Sequence, residues 1–365
     1  MNQFFPGKDE KIKVHGRTRM QNPLPLFWTA SGIELCADGS ELTIVVTSDY
    51  EYFEQWVRIE LDGYSLIRMP LNKGTNRITA YRGADPSVKK IVRLYKEVQA
   101  MPDDPSAMLL VDMVETDGLL YELPGRERKI EFIGDSITSG EGMAGAEQMM
   151  DWISAVFSTK DHYTGKVAQA LNADYRIISQ SGWGVQCGWN NDPHSVIPPH
   201  YTRVCGVIKG DRNQKLGAGE ENDFGGWRPE VVVVNLGTND SISYEMPEWI
   251  DEDGTVYRQK KLPDGSCEPE SRERFVSAVT SFLKTLRECN PDAQILWVYG
   301  MLDDSLREQI EEGLERHIAE TGDRKAHYLG LPDTLEAWLG SRAHPGPLSH
   351  EAAANVISQW IKTHK

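Results

Sequence analysis

Ser136, Asn239 and His344 are the residues around which acyl-transfer chemistry can be assembled. A serine hydroxyl is a poor nucleophile until a base takes its proton, and histidine is the side chain whose pKa suits that task. Attack on an ester carbonyl builds negative charge on oxygen, which needs fixed donors: backbone N–H groups near glycines and an asparagine amide. Four short blocks hold these parts: Gly134-Asp135-Ser136, Ser181-Gly182-Trp183-Gly184, Gly237-Thr238-Asn239-Asp240 and His344-Pro345. In this pattern Ser136 is the nucleophile and His344 its base. A backbone amide at Gly182 or Gly184 and the Asn239 side chain are the oxyanion donors. Each residue also has a plainer reading. Ser136 suits a helix cap, Asn239 suits a turn, and His350 is an alternative base.

Something rigid must hold these blocks. KIEFIG, DYRIISQS, EVVVVNLG and AQILWVYG are short apolar runs of the kind that form buried parallel strands. The first three blocks each follow one such run, and the fourth precedes the last helical stretch. Helices are predicted over His162–Asn172, Glu273–Cys289, Ser305–Glu320 and Glu351–His364, with Asn290-Pro291 stopping the second. Strands alternating with helices predict a parallel sheet covered on both faces, with ligands bound beyond the carboxyl ends of its strands. The first third reads differently. ELTIVVTSDY, QWVRIELDGYSLIRMPL, NRITAYR, KKIVRLYKEV and AMLLVDMVE are separated by turn formers such as Asp62-Gly63 and Asn72-Lys73-Gly74. That spacing predicts an antiparallel β-sandwich. A change of composition near Leu123-Pro124-Gly125 divides the chain into residues 1–125 and 126–365.

At 365 residues the chain is long for one core, so two domains are expected. A net charge of −16 argues against nucleic acid or an anionic membrane as the main partner and is compatible with a neutral ligand such as a sugar. No apolar run reaches the ~18 residues of a membrane span. Five cysteines, an odd number without a CxxC pair, fit free thiols in a reducing compartment, with neither a disulfide frame nor a zinc site. With no visible signal peptide, a cytoplasmic location is expected.

The four blocks, in this order, resemble the SGNH or GDSL-type hydrolases over about residues 128–365: GDSIT as the nucleophile block, SGWG as the glycine block, GTND as the asparagine block and His344-Pro345 as the histidine block. Most members carry an aspartate two or three residues before the catalytic histidine. Here the stretch is Ser341-Arg342-Ala343-His344, without a carboxylate. A triad acid holds the imidazole tautomer and stabilises its charged form. A backbone carbonyl of Ser341 or Arg342 is therefore expected to orient His344, giving a Ser-His dyad, with Asp303 or Asp333 as a distant alternative. Asp135 is expected to brace the nucleophile turn and to lie at the substrate site.

The preceding sandwich and the stretch Glu127 to Thr138, ERKIEFIGDSIT, narrow the resemblance to family 2 of the carbohydrate esterases. Gly16-Arg17-Thr18 and the Trp28–Ile33 segment resemble that family's N-terminal domain. The resemblance implies a jelly-roll domain followed by a flavodoxin-like three-layer α/β/α hydrolase domain. It implies removal of O-acetyl groups from xylan- or mannan-type glycans through an acetyl-serine intermediate, with neither metal nor organic cofactor. Flat aromatic faces suit pyranose rings, so Trp183, Trp189 and Trp297 are the expected sugar-binding residues; Trp297 is equally readable as core. His162, His194 and His200 are expected at the surface. The polar segment 241–271 is long for a loop, and is expected to form a flap or hairpin bordering the cleft or contacting a second subunit of a homo-oligomer. The competing functions are a lipase or thioesterase, which needs a long acyl channel, and a non-catalytic carbohydrate-binding protein.

Overall fold

A computed structural model describes residues 1–364. The antiparallel part lies between Asn2 and Tyr121 and contains two sheets. One runs Asn2–Phe4, Met108–Thr116, Glu41–Asp49, Gly74–Arg82, with Leu24–Pro25 pairing Met108–Thr116. The other runs Leu120–Tyr121, Gly32–Ala37, Lys90–Lys96, Trp56–Leu61, Tyr64–Pro70, with Lys13–His15 pairing Gly32–Ala37. Leu42, Ile44 and Val46 of the first sheet share one core with Ile33, Leu35, Val57, Ile59, Val92 and Leu94 of the second. The β-branched alternation supplied those inward faces. Asp62-Gly63 makes the predicted turn, with both residues at positive φ.

The second part starts with the strand Arg128–Gly134. Its neighbours are Ala173–Ser179 on one side and Val231–Asn235 on the other, followed by Gln294–Tyr299 and Ala326–Gly330, all parallel. In sequence order this is 2-1-3-4-5, the doubly wound arrangement whose ligand crevice opens between strands 1 and 3. Alternate residues go to opposite faces. Ile133, Val232, Val234, Ile295 and Trp297 pack with the helices Pro269–Cys289 and Arg307–Thr321. Ile130, Phe132, Val231, Val233, Leu296 and Val298 pack with Tyr163–Ala170 and Pro347–Thr363. Pro269 starts its helix at a position where the missing N–H costs nothing. Ala326–Gly330 is the strand without a sequence signal: at the sheet edge, it is mostly half-exposed and includes His327 and Tyr328.

Buried charge ties the two parts together. Arg17, 1% exposed, donates to both oxygens of Glu131 at 3.0 and 3.1 Å and lies over the Tyr201 ring at 4.4 Å. The Tyr201 hydroxyl also donates to Glu131, at 2.6 Å. Glu131 lies on the strand that delivers Ser136. Glu97 of the antiparallel part accepts from Arg58 at 2.9 and 2.8 Å and from Arg68 within that part, and across the junction from Ser158 and the Thr159 amide. Burial works to raise the Glu97 pKa, yet Arg58 and the other donors hold it below the ordinary value. Arg17→Leu leaves Glu131 buried without its cation. It is expected to cost about 3–5 kcal/mol, read as a lower denaturant midpoint, with Arg17→Leu/Glu131→Leu recovering most of the loss. A midpoint unchanged in the single variant would refute this account of the junction.

Candidate active site

The Arg128–Gly134 strand ends in a turn closed by its own side chain. Asp135 Oδ1 accepts the Ile137 amide at 3.0 Å, starting the short helix Ser136–Ser139 with Ser136 at its first position. His344 comes from the segment just before the final helix, which restarts at Pro347. The two meet. Ser136 Oγ lies 2.9 Å from His344 Nε2, and His344 Nδ1 lies 2.9 Å from the Arg342 carbonyl. A carbonyl only accepts, so Nδ1 carries the proton and Nε2 is the bare acceptor for the serine hydroxyl. Asp303 accepts instead from Tyr299, at 2.7 Å, and from Ser305.

That carbonyl is aimed by unusual backbone. Arg342 and Ala343 have φ of 58° and 53°, a left-handed conformation costing roughly 1–2 kcal/mol per non-glycine residue. Surrounding bonds enforce it. The Ser341 amide donates to Gly142 O at 3.1 Å, the Arg342 amide to Met149 O at 2.8 Å, and Ser341 Oγ to Ala144 O at 2.7 Å. Arg342 Nη1 also donates to Met150 O. Gly142, at φ +81°, lies so close that a Cβ there would sit 2.5 Å from His344 Cβ and 2.6 Å from Ser341 O. Gly142→Ala is therefore expected to displace His344 and lower the rate of acyl transfer to Ser136 about 100-fold while the fold persists by circular dichroism. Near-normal turnover would contradict the contact.

The glycine and asparagine blocks come together over the same strand ends. Asn239 Nδ2 donates to the Trp183 carbonyl at 3.0 Å and, more loosely, to Asp135 Oδ2 at 3.3 Å. Asp240 accepts the amides of Val185, Gln186 and Cys187 at 3.0, 2.8 and 3.1 Å, clamping the glycine block to the asparagine block. Among the described residues, no protein acceptor takes the Gly182 amide. Gly184 differs from expectation. Its amide already donates to Ser195 O at 3.1 Å, so it is not available as an oxyanion donor. Its glycine is required by packing, because a Cβ would sit 2.5 Å from Asp240 Oδ2.

A cleft of about 650 Å³ opens beside Gly182. Trp183 and Trp189 line it, together with Trp152, His194 and, from the antiparallel part, Phe53 and Met101. Trp183 packs against His200 at 5.2 Å with the ring planes tilted by 52°, and Trp189 is 45% exposed. Two expected sugar contacts are corrected. Trp297 is fully buried, its indole donating to Leu236 O at 3.1 Å, because strand alternation turns it into the helix-covered face. Asp135 is 1% exposed and serves the turn and Asn239. His162 is likewise buried, bonded to Ile137 O at 2.8 Å and Thr164 at 2.7 Å. His350 is buried, and its Nδ1 accepts the Tyr163 amide at 3.2 Å. Segment 241–271 contains a two-stranded hairpin, Trp249–Ile250 with Val256–Tyr257. It is anchored by Asn191 and reaches the cleft wall where Trp249 meets His194 at 5.5 Å. Among the described residues, no group of three or more His, Cys, Asp or Glu side chains is arranged to hold a metal.

Sequence reasoning passed over three residues that the fold gathers here: Glu141, Trp152 and the side chain of Arg342. Arg342 Nε pairs with Glu141 Oε1 at 2.6 Å, and the Trp152 indole donates to Glu141 Oε2 at 3.2 Å. Glu141 stood inside GDSITSGEG, five residues beyond Ser136, but one acidic residue among turn formers carries no distinguishing signal.

The fold and these blocks define a class of hydrolase: the chain belongs to the GDSL-like lipase/acylhydrolase family, whose model matches residues 132–352. Its particular likeness is to carbohydrate esterases. The structure of an acetyl xylan esterase, Est2A, from Butyrivibrio proteoclasticus superposes with a TM-score of 0.97 at 41% identity, covering 99% of this chain and 98% of that one. A family two carbohydrate esterase from Clostridium thermocellum, in complex with cellohexaose, shares the fold with a TM-score of 0.78 at 24% identity, over 96% of this chain and 98% of that one. The acetylxylan esterase / glucomannan deacetylase of Cellvibrio japonicus is 32% identical over 97% of this chain and 91% of its own length. A further curated relative is longer, and the chain spans 37% of its length.

Burial pushes the Asp135 carboxyl up to about 7, against the bond from Ile137, with the charges of Asp240 and Glu141 adding to the rise. Burial likewise lifts Asp240 to about 6, despite its three backbone donors. In the unfolded chain both lose their protons near 4. Between about pH 4 and 7 the unfolded chain binds fewer protons than the folded one, so these groups make stability fall as pH rises through that window. Asp135→Asn keeps an acceptor for the Ile137 amide and cannot ionise. Its unfolding midpoint is expected to fall less than the wild type's between about pH 4 and 7; equal slopes would show that Asp135 does not titrate there.

Proposed function

We propose that this protein is a serine esterase that removes O-acetyl groups from xylan- or mannan-type polysaccharides or their oligosaccharides. The observation that carries the proposal is the relay from Ser136 Oγ to His344 Nε2 and from His344 Nδ1 to Arg342 O, both links at 2.9 Å. The glycine block, whose Trp183 carbonyl holds Asn239, lines a cleft walled by indoles. Similarity to enzymes named for acetyl xylan and glucomannan supports the choice of substrate class.

The chemistry follows from the geometry. Ser136 Oγ attacks the acetyl carbonyl carbon as His344 Nε2 takes the hydroxyl proton. The carbonyl oxygen becomes an oxyanion, for which the Gly182 amide and the Asn239 side chain are the assigned donors. Asn239 gives up its long bond to Asp135 to do so. The intermediate collapses, the C–O bond to the sugar breaks, and the sugar oxygen takes the proton from Nε2. Water, deprotonated by His344, then cleaves acetyl-Ser136 to acetate and the free serine. The imidazolium formed at each attack keeps its Nδ1 hydrogen bond to Arg342 O. Trp183 and Trp189 offer faces for the sugar that carries the acetyl group.

Acetate release from acetylated xylo- and manno-oligosaccharides should be rapid in the wild type and absent in Ser136→Ala. Asn239→Ala should retain binding and lose about 100- to 1,000-fold in kcat. Release that survives Ser136→Ala would overturn the assigned nucleophile. Preference for long acyl chains over acetyl would move the activity to lipid or thioester substrates.

A further inference from the structure

We infer that Glu141 is a positioning residue for His344 that supplies, from outside the histidine segment, the negative charge missing from it. Glu141 is 2% exposed, and its Oε1 lies 3.9 Å from His344 Nε2 while pairing with Arg342 Nε at 2.6 Å. Its backbone N–H donates a hydrogen bond to Ser136 O at 3.0 Å, and its other carboxylate oxygen accepts from the Trp152 indole. The carboxylate thus has one geometry, between the base and the arginine whose carbonyl orients that base.

The arrangement answers an electrostatic problem. Arg342 places a permanent cation two residues from His344, and a like charge opposes the imidazolium that forms when Ser136 gives up its proton. Pairing with Glu141 offsets that guanidinium, and the oxygen that makes the pair, Oε1, is the one that lies 3.9 Å from His344 Nε2. The same ion pair steadies Arg342 in its left-handed conformation, which aims the carbonyl at Nδ1. Orientation and charge stabilisation, joined in one aspartate in a triad, are here divided between the Arg342 carbonyl and the Glu141 carboxylate. Two further ionisable groups lie close by: Asp135, whose carboxyl feels the charge of Glu141, and His350 on the final helix, which feels His344. Burial holds His350 well below its ordinary range, and therefore neutral.

The role rests on the esterase reading only for its kinetic readout. In the wild type, the acid limb of kcat/KM against pH reports His344 losing its proton. Glu141→Gln keeps the side chain's shape and removes its charge. It should move that limb to lower pH by about one unit and lower kcat/KM about tenfold with little change in KM. Glu141→Asp, which keeps the charge, should leave the limb near its wild-type position. Arg342→Gln removes the opposing cation and should move the limb to higher pH, which keeps the inference testable should Glu141→Gln not fold. The His344 titration can also be followed by NMR in a Ser136→Ala background, with and without Glu141→Gln. That reading needs no turnover, so it separates this role from the choice of substrate. A limb and an NMR titration unmoved by Glu141→Gln, or displaced in the same direction by Glu141→Gln and Arg342→Gln, would overturn it and leave Glu141 as a brace alone.

Discussion

The hydrogen bond from His344 to the carbonyl of Arg342 is the constraint around which the site is organised. A main-chain acceptor in the place of a carboxylate can select a tautomer only if the backbone holds still. The backbone that aims it is of a kind the chain disfavours, with two successive non-glycine residues in the left-handed region. The strain is met by bonds from another part of the sequence: the loop from Gly140 to Trp152 accepts both amides, Ser341 Oγ and the guanidinium of this segment. Because that loop begins at the end of the nucleophile helix, Ser136 and His344 are held by one continuous piece of structure.

The second requirement is that the strand ends themselves stay in register. Parallel strands buried on both faces tolerate little displacement, and here the nucleophile strand carries a charge, Glu131, into its interior. Arg17 and Tyr201 satisfy it completely. The antiparallel part therefore does more than lie alongside. It neutralises a charge under the nucleophile, it holds the Ser181 amide through Gln99 at 2.8 Å, and it lends Phe53 and Met101 to the cleft. The cleft is walled by residues from both halves of the chain.

Much of this was readable from local pattern. The apolar runs ending at Gly134, at Asn235 and at Tyr299 are strands, and the turn residues after the first two predict where chemistry sits, because a parallel sheet presents its carboxyl ends to ligands. The missing acid before His344 predicted a carbonyl partner by elimination of better ones, and Arg342 O is the atom found at Nδ1. Local pattern failed where a residue's environment is built by distant segments. The edge strand Ala326–Gly330 looked polar because one side of it has no neighbour. Trp297 looked as able to meet a sugar as to fill a core until the helices covered its face. The Gly184 amide looked free until Ser195 accepted it.

Periodicity, turn chemistry and block order thus set the elements, their sequence in the chain and the residues able to perform an acyl transfer, because each depends on neighbours a few positions away. Which carboxylate serves His344 did not follow from them. Glu141 and Arg342 are 201 residues apart and Arg17 and Glu131 are 114 apart. Whether such pairs meet is decided by burial, where a charge without its partner is too costly to keep. That decision exists only once the sheet, the sandwich and the loop between them have closed around the same few side chains.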